Sequence, residues 1–139
     1  MDDRWILVVE DDELDQDFIG RILQKAVREE RSRFCGTGQE ALDAADAEIL
    51  PPALVLLDWR LPGLSSLEVL RHLREHTKTS LVPIVIFSGD VREEAMIEAL
   101  LAGANSYICK ATEYDRMVED LKAALHYWLD VHCTPKPRE

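Results

Sequence analysis

Short apolar runs alternate along the chain with segments of helical periodicity. Residues 5–9, 53–57, 82–87 and 106–109 are almost wholly apolar and predict strands, with a weaker strand at 33–35. Between them, Phe18, Ile19, Ile22, Leu23, Ala26 and Val27 recur at helical spacing and predict a helix over 14–27. After the turn Gly36-Thr37-Gly38, with Thr37 or Gly38 as cap, a second helix runs to about residue 47, where Pro51 and Pro52 stop it. Ser65 or Ser66 caps a third through about residue 76. A fourth covers 92–102, closed by Gly103, and a long final helix covers 113–131.

The result is five β-α units. Strands this short and this apolar suit a parallel sheet covered on both faces. The expected architecture is an α/β, open, doubly wound five-stranded parallel sheet of order 2-1-3-4-5, in which chemistry belongs at the carboxyl ends of the strands. There the chain carries Glu10, Asp11, Asp12 and Glu13 after the first strand, Asp58 after the third, Ser88 after the fourth and Lys110 after the fifth. All are expected on one rim although they are scattered widely in sequence.

Clustered carboxylates repel one another unless a cation sits among them. Oxygen ligands alone, few in number, suit Mg2+, with Mn2+ as the substitute; such ions keep several waters and complete their shell with phosphate. Lysine and a serine hydroxyl both address phosphate oxygens. An aspartate nucleophile flanked by a divalent cation and a lysine makes a phosphoryl-transfer site, in which the protein mainly positions groups and neutralises charge.

Composition narrows the partners. The chain has 139 residues, one domain's worth, with 27 acidic against 16 basic residues and a formal net charge of −11. Such a surface repels nucleic acid and anionic lipid, so neither is expected as a partner. The N-terminus has no basic n-region followed by an apolar stretch, so no signal peptide is expected. No apolar run approaches the ~20 residues of a membrane span, and a cytoplasmic location follows as the expectation. The three cysteines, Cys35, Cys109 and Cys133, lack CxxC spacing; Cys35 and Cys109 read as reduced thiols in strands.

Four runs together resemble the receiver domains of two-component signalling: ILVVEDD at 6–12, LVLLDWRLPG at 54–63, IVIFSGD at 84–90 and GANSYICK at 103–110. The resemblance spans nearly the whole chain, in order and spacing, and implies a flavodoxin-like receiver over residues 1–131 with a tail at 132–139. It implies a phosphoacceptor, not a turnover enzyme: Asp58 takes a phosphoryl group from a histidine kinase or small donor and loses it slowly by self-catalysed hydrolysis. Asp11 would bind the metal directly and Glu10 mostly through water, with Asp58 and the backbone carbonyl of Arg60 completing the ligands. Ser88 would be the switch hydroxyl, Tyr107 the aromatic that follows it, and Lys110 the phosphate-binding lysine. Asp12 has no family role and reads as a solvated charge or helix cap.

The family usually has proline after the lysine, in a cis bond; here Ala111 stands there, so the loop is either trans and reshaped or cis at ~3–4 kcal/mol. The small regulators paired with bacterial and cyanobacterial phytochromes also lack that proline and end in an aromatic-Trp-Leu helix with a Pro-containing tail, as this chain does in Tyr127-Trp128-Leu129 and Pro135. That resemblance implies a bacteriophytochrome kinase as partner. A dehalogenase-type phosphatase is rejected because the required acid two residues after Asp58 is replaced by Arg60. A non-phosphorylated pseudo-receiver that acts purely by protein contact is the alternative. A transcription factor is disfavoured by the charge and by the lack of sequence for a DNA-binding domain after residue 131.

Other features are read more plainly. His72 and His76 have metal-ligand spacing without a third ligand and are expected on a solvated face, as are His126 and His132. Arg60 and Asp90, each two residues beyond a site residue, are expected to face each other over the pocket. In the last helix Met117, Val118, Leu121, Leu125 and Trp128 form a stripe about 120° wide, which Ala124, Tyr127 and Val131 broaden to roughly 200°. One sheet face does not cover that, so the helix and tail are expected to pack on a second copy in a homodimer.

Overall fold

The computed structural model describes residues 4–26 and 30–136. Five parallel strands, β1 (Trp5–Val9), β2 (Arg31–Cys35), β3 (Leu54–Leu57), β4 (Ile84–Ser88) and β5 (Ser106–Cys109), form one sheet in the order β2-β1-β3-β4-β5. The expected flavodoxin-like topology is the one observed. Helices α1 (Glu13–Ala26), α2 (Gly38–Ala47), α3 (Ser66–Glu75), α4 (Glu93–Leu101) and α5 (Tyr114–His126) connect the strands and close the chain.

The sheet is covered on both faces, as its apolar strands require. Trp5, Leu7, Val9, Val55, Leu57, Ile84 and Ile86 face α2, α3 and α4, while Ile6, Val8, Leu54, Leu56, Val85 and Phe87 face α1 and α5. The alternation inside each strand is the period-two rule at work, with both sides buried. β2 is the exception: Arg31, Ser32 and Arg33 are exposed, as suits a charged edge strand, which explains its weak signal in sequence. Cys35 at its end is buried, Cys109 is half-buried and Cys133 exposed, all as free thiols.

Thr37 caps α2 by accepting the amide of Glu40, and Ser65 caps α3 by accepting that of Glu68. Asp12 caps α1, accepting the amide of Asp15 at 2.9 Å. Gly38 allows α2 to lie close on α3: a Cβ there would stand 2.6 Å from Val69 Cγ2 and 2.9 Å from the Leu64 carbonyl. Gly103 adopts a positive φ of 112°, which closes α4. The guanidinium of Arg74 then ties this end of the molecule together, donating to Gly103, Val82 and the Asn105 side chain at 2.7–2.9 Å.

The last helix departs from expectation. It does not run as one α-helix to residue 131; α5 gives way to a π-helical turn at Tyr127–Val131, where the amide of His132 donates to Tyr127 at 2.7 Å. The wider turn carries Leu129 into the core beside Leu121 and Leu125, and Trp128, expected to dock fully, is only partly buried. Arg4 holds the turn by donating to the Leu129 carbonyl at 3.0 Å. Tyr127 and Val131 remain 47% and 53% exposed, so the chain's own sheet does leave that flank open. Val27, assigned above to the α1 stripe, and the last three residues of the tail lie outside the described residues.

Candidate functional site

Backbone hydrogen bonds that continue past the strand ends fix the rim residues. The amide of Glu10 donates to Cys35, that of Asp58 to Val9, and that of Lys110 to Ser88, at 2.8–3.0 Å. The first side chain after each strand is thereby delivered to the same edge of the sheet. The carboxylate oxygens of Glu10, Asp11 and Asp58 all lie within 4.8 Å of one another, with Glu10 and Asp58 buried and Asp11 exposed. Three carboxylates and no soft ligand suit a hard divalent cation, so the residues fit the Mg2+ or Mn2+ the sequence called for.

One cation of the protein itself already stands there. Lys110 Nζ donates to Glu10 Oε1 at 2.6 Å and to Asp15 Oδ2 at 2.7 Å, and lies 4.0 Å from Asp58 Oδ2. Burial pulls the ammonium's pKa down, but its bonds to Asp15 and Glu10 outweigh that and hold it above the ordinary lysine value. Glu10 is pushed above the usual carboxylate range by burial, against the pull of Lys110. Its second oxygen accepts the amide of Asp12 at 3.1 Å. The Lys110–Ala111 peptide is trans, since the described residues contain no cis bond, and the lysine nonetheless reaches the carboxylates.

On the β4 side, Ser88 is fully buried and its hydroxyl accepts the amide of Asp90 at 3.2 Å. Tyr107 donates from its hydroxyl to the Asp90 carbonyl at 2.6 Å; burial pushes the phenol up, which keeps it a donor. Asp90 is the hub of this side. Its buried carboxylate receives Arg92 Nε and Nη2 at 3.0 and 2.8 Å, and Arg60 Nε stands 3.3 Å away. The hydrogen bond from Arg92 holds the Asp90 carboxyl well below the usual range. The expected Arg60–Asp90 pair is therefore present, although Arg92, which sequence reasoning passed over, makes the stronger contact.

Two further residues went unmentioned as site residues. Ser66 donates to the Asp58 carbonyl at 2.6 Å and pins the backbone of the acceptor position. Asp15 takes half of Lys110's attention; its only sequence signal is a place four residues after Asp11 on α1. His72 and His76 are exposed and stacked on each other, with ring centroids 6.4 Å apart, and join no acidic cluster. His126 is exposed, but His132 is half-buried against Trp128 at 4.8 Å. Among the described residues no helix is long and apolar enough to cross a membrane.

The fold has matches among known proteins. The model of the response regulator receiver domain matches residues 6–122. The chain belongs to the response-regulator receiver family. It is 32% identical over 124 residues to the phosphate regulon transcriptional regulatory protein PhoB of Escherichia coli, covering 88% of this chain and 52% of PhoB. The chain thus spans about half the length of such curated relatives. Among solved structures, the phosphorylated cyanobacterial phytochrome response regulator RcpA superposes with a TM-score of 0.90 at 24% identity, over 97% of this chain and 100% of that one, a likeness of fold. A response regulator in red light signalling of R. palustris superposes with a TM-score of 0.84 at 25% identity, over 96% and 99% of the two chains.

The crowded carboxylates of this receiver are a source of instability in the absence of a divalent cation. Asp11→Asn removes one charge from the rim without removing a buried bond, so in chelator it should stabilise the fold by about 0.5–1 kcal/mol. Urea or thermal unfolding measures this; a loss of similar size would mean that Asp11 is held by the fold and not repelled by its neighbours.

Proposed function

We propose that the chain is a phosphoacceptor that takes a phosphoryl group from the phosphohistidine of a histidine kinase onto Asp58, and signals by protein contact or by passing the group onward. The observation that carries the reading is the convergence of Asp58, two further carboxylates and Lys110 at one rim. A carboxylate oxygen of Asp58 attacks phosphorus; the P–O bond forms as the P–N bond breaks, and that bond's electron pair leaves on the imidazole nitrogen. Ser66 and the Val9 carbonyl hold the Asp58 backbone still, which supplies the alignment on which such a transfer depends.

Glu10, Asp11, Asp58 and the backbone carbonyl of Arg60 are the residues that would hold Mg2+, with Mn2+ as substitute. When bound, the ion neutralises charge on the phosphoryl oxygens. Lys110 is the fixed cation for one of those oxygens. Ser88 gives its hydroxyl hydrogen to another, turning from the Asp90 amide, and Tyr107 follows the rearranged loop. The output face then comprises β4, β5 and α5. Likeness to regulators of phytochrome and red-light signalling supports a phytochrome kinase as the cytoplasmic partner.

Arg60, two residues after Asp58 and tied to Asp90 at 3.3 Å, is the residue we assign to restricting the path of water to the phosphoryl group. The assembly we favour is a homodimer through the π-helical turn and the tail. Tyr127 and Val131 lie open beside the buried Leu129, and Pro135 favours an extended path for the tail. Burial of such a face in a symmetric dimer removes an aggregation liability.

Incubation with acetyl phosphate and with candidate kinases should label the wild-type chain, whereas Asp58→Asn should stay unlabelled and folded, and excess EDTA should block labelling. Labelling that survives EDTA would contradict the metal requirement, and a wild type that never labels would favour the pseudo-receiver. Arg60→Ala should lose its phosphoryl group about threefold faster or more, a step of roughly 0.7 kcal/mol in the barrier; equal lifetimes would remove the arginine's role. Light scattering should find a dimer at tens of micromolar that Tyr127→Glu with Val131→Glu dissociates. A wild type that is monomeric with or without phosphate would leave the flank as an ordinary exposed helix end.

A further inference from the structure

The ammonium of Lys110 reaches the pocket with two of its three donors committed, one to Glu10 and one to Asp15. The two carboxylates are placed differently. Glu10 is 2% exposed and its other oxygen is occupied by the Asp12 amide, whereas the Asp15 side chain is 32% exposed. Asp15 stands in the first turn of α1 and is not one of the three carboxylates whose oxygens converge on the candidate metal position. Neither acceptor chemistry nor cation binding requires an acid there. Its bond holds the ammonium 4.0 Å from the nearest Asp58 oxygen.

We propose that Asp15 is a positioning residue that latches Lys110 on the α1 side of the pocket until a phosphoryl group on Asp58 draws the ammonium across. This rests on Asp58 as the acceptor. A phosphoryl group adds oxygens that attract the ammonium from its place 4.0 Å from Asp58, and a movement toward them lengthens one of its two carboxylate bonds. Releasing Glu10 would take a hydrogen-bond donor from a carboxylate that is 2% exposed and that water does not replace, which is costly. Releasing Asp15 exposes a carboxylate that water solvates at once, so Asp15 is the bond that gives. The latch therefore weakens the acceptor's hold on a phosphoryl group, and its opening is felt in the first turn of α1.

Beryllofluoride, which adds to a carboxylate oxygen as a stand-in for the phosphoryl group, tests this on the intact chain with Mg2+ present. Trp59, buried directly after Asp58, reports the addition by its fluorescence. Asp15→Asn should tighten the apparent beryllofluoride affinity about threefold to tenfold, since the competing charge is gone while the shape is kept. Asp12→Asn removes the same charge nearby, keeps the α1 cap and touches no bond to Lys110; it should change the affinity by less than about twofold. Asp15→Glu should return the affinity to that of the wild type.

An Asp15→Asn affinity equal to or weaker than wild type overturns the latch. So does an equal gain in Asp12→Asn, which would reduce the effect to net charge, and so does an Asp15→Glu variant that behaves like Asp15→Asn. A wild type that takes up no beryllofluoride would instead overturn Asp58 as the acceptor, and the latch with it.

Discussion

Like-charge repulsion at the carboxyl rim is the constraint around which this fold is arranged. Glu10, Asp11 and Asp58 are brought within 4.8 Å by the ends of β1 and β3, and sheet topology allows them nowhere else. Lys110, delivered from β5 across the full width of two strands, is the internal counter-charge. Its elevated pKa and the raised pKa of Glu10 are two sides of one fact: carboxylates have been gathered where water is scarce, with a single ammonium among them. A site built this way is costly by itself, and a bound cation would offset that cost, which is the balance that the proposed acceptor role requires.

The second half of the rim works through backbone position. Ser88 at the end of β4 and Tyr107 in β5 both bond to Asp90 in the loop after β4, and the Asp90 carboxylate ties that loop to Arg60 and Arg92. Asp90 thus stands between the two side chains, its amide donating to the Ser88 hydroxyl and its carbonyl accepting from the Tyr107 phenol. The proposed coupling of Ser88 to Tyr107 needs no long-range network, because both side chains bond to the backbone of one residue.

What could be read from sequence follows from what sequence encodes. Strands buried on both faces announce themselves as apolar runs, so β1, β3, β4 and β5 were legible and the parallel order came with them. β2 was faint because Arg31, Ser32 and Arg33 face water at an edge. The rim residues were legible because each is the first or second polar residue after such a run. Partners outside the strands were not: Asp15 and Ser66 act through placement by the fold that no spacing rule reveals, and Arg92 makes a local bond to Asp90 two residues before it that has no motif to mark it. The π-helical turn was also hidden, since a 3.6-residue period extrapolated past His126 aims Trp128 inward where the wider turn presents Leu129.

The most direct test of the central claim is chemical. An aspartyl phosphate is reduced by borohydride to homoserine, which marks the acceptor permanently in the peptide. After phosphorylation and reduction, mass spectrometry should find homoserine at position 58 and an unmodified aspartate at positions 11, 12 and 15. Homoserine at any of those three with Asp58 intact would contradict the account.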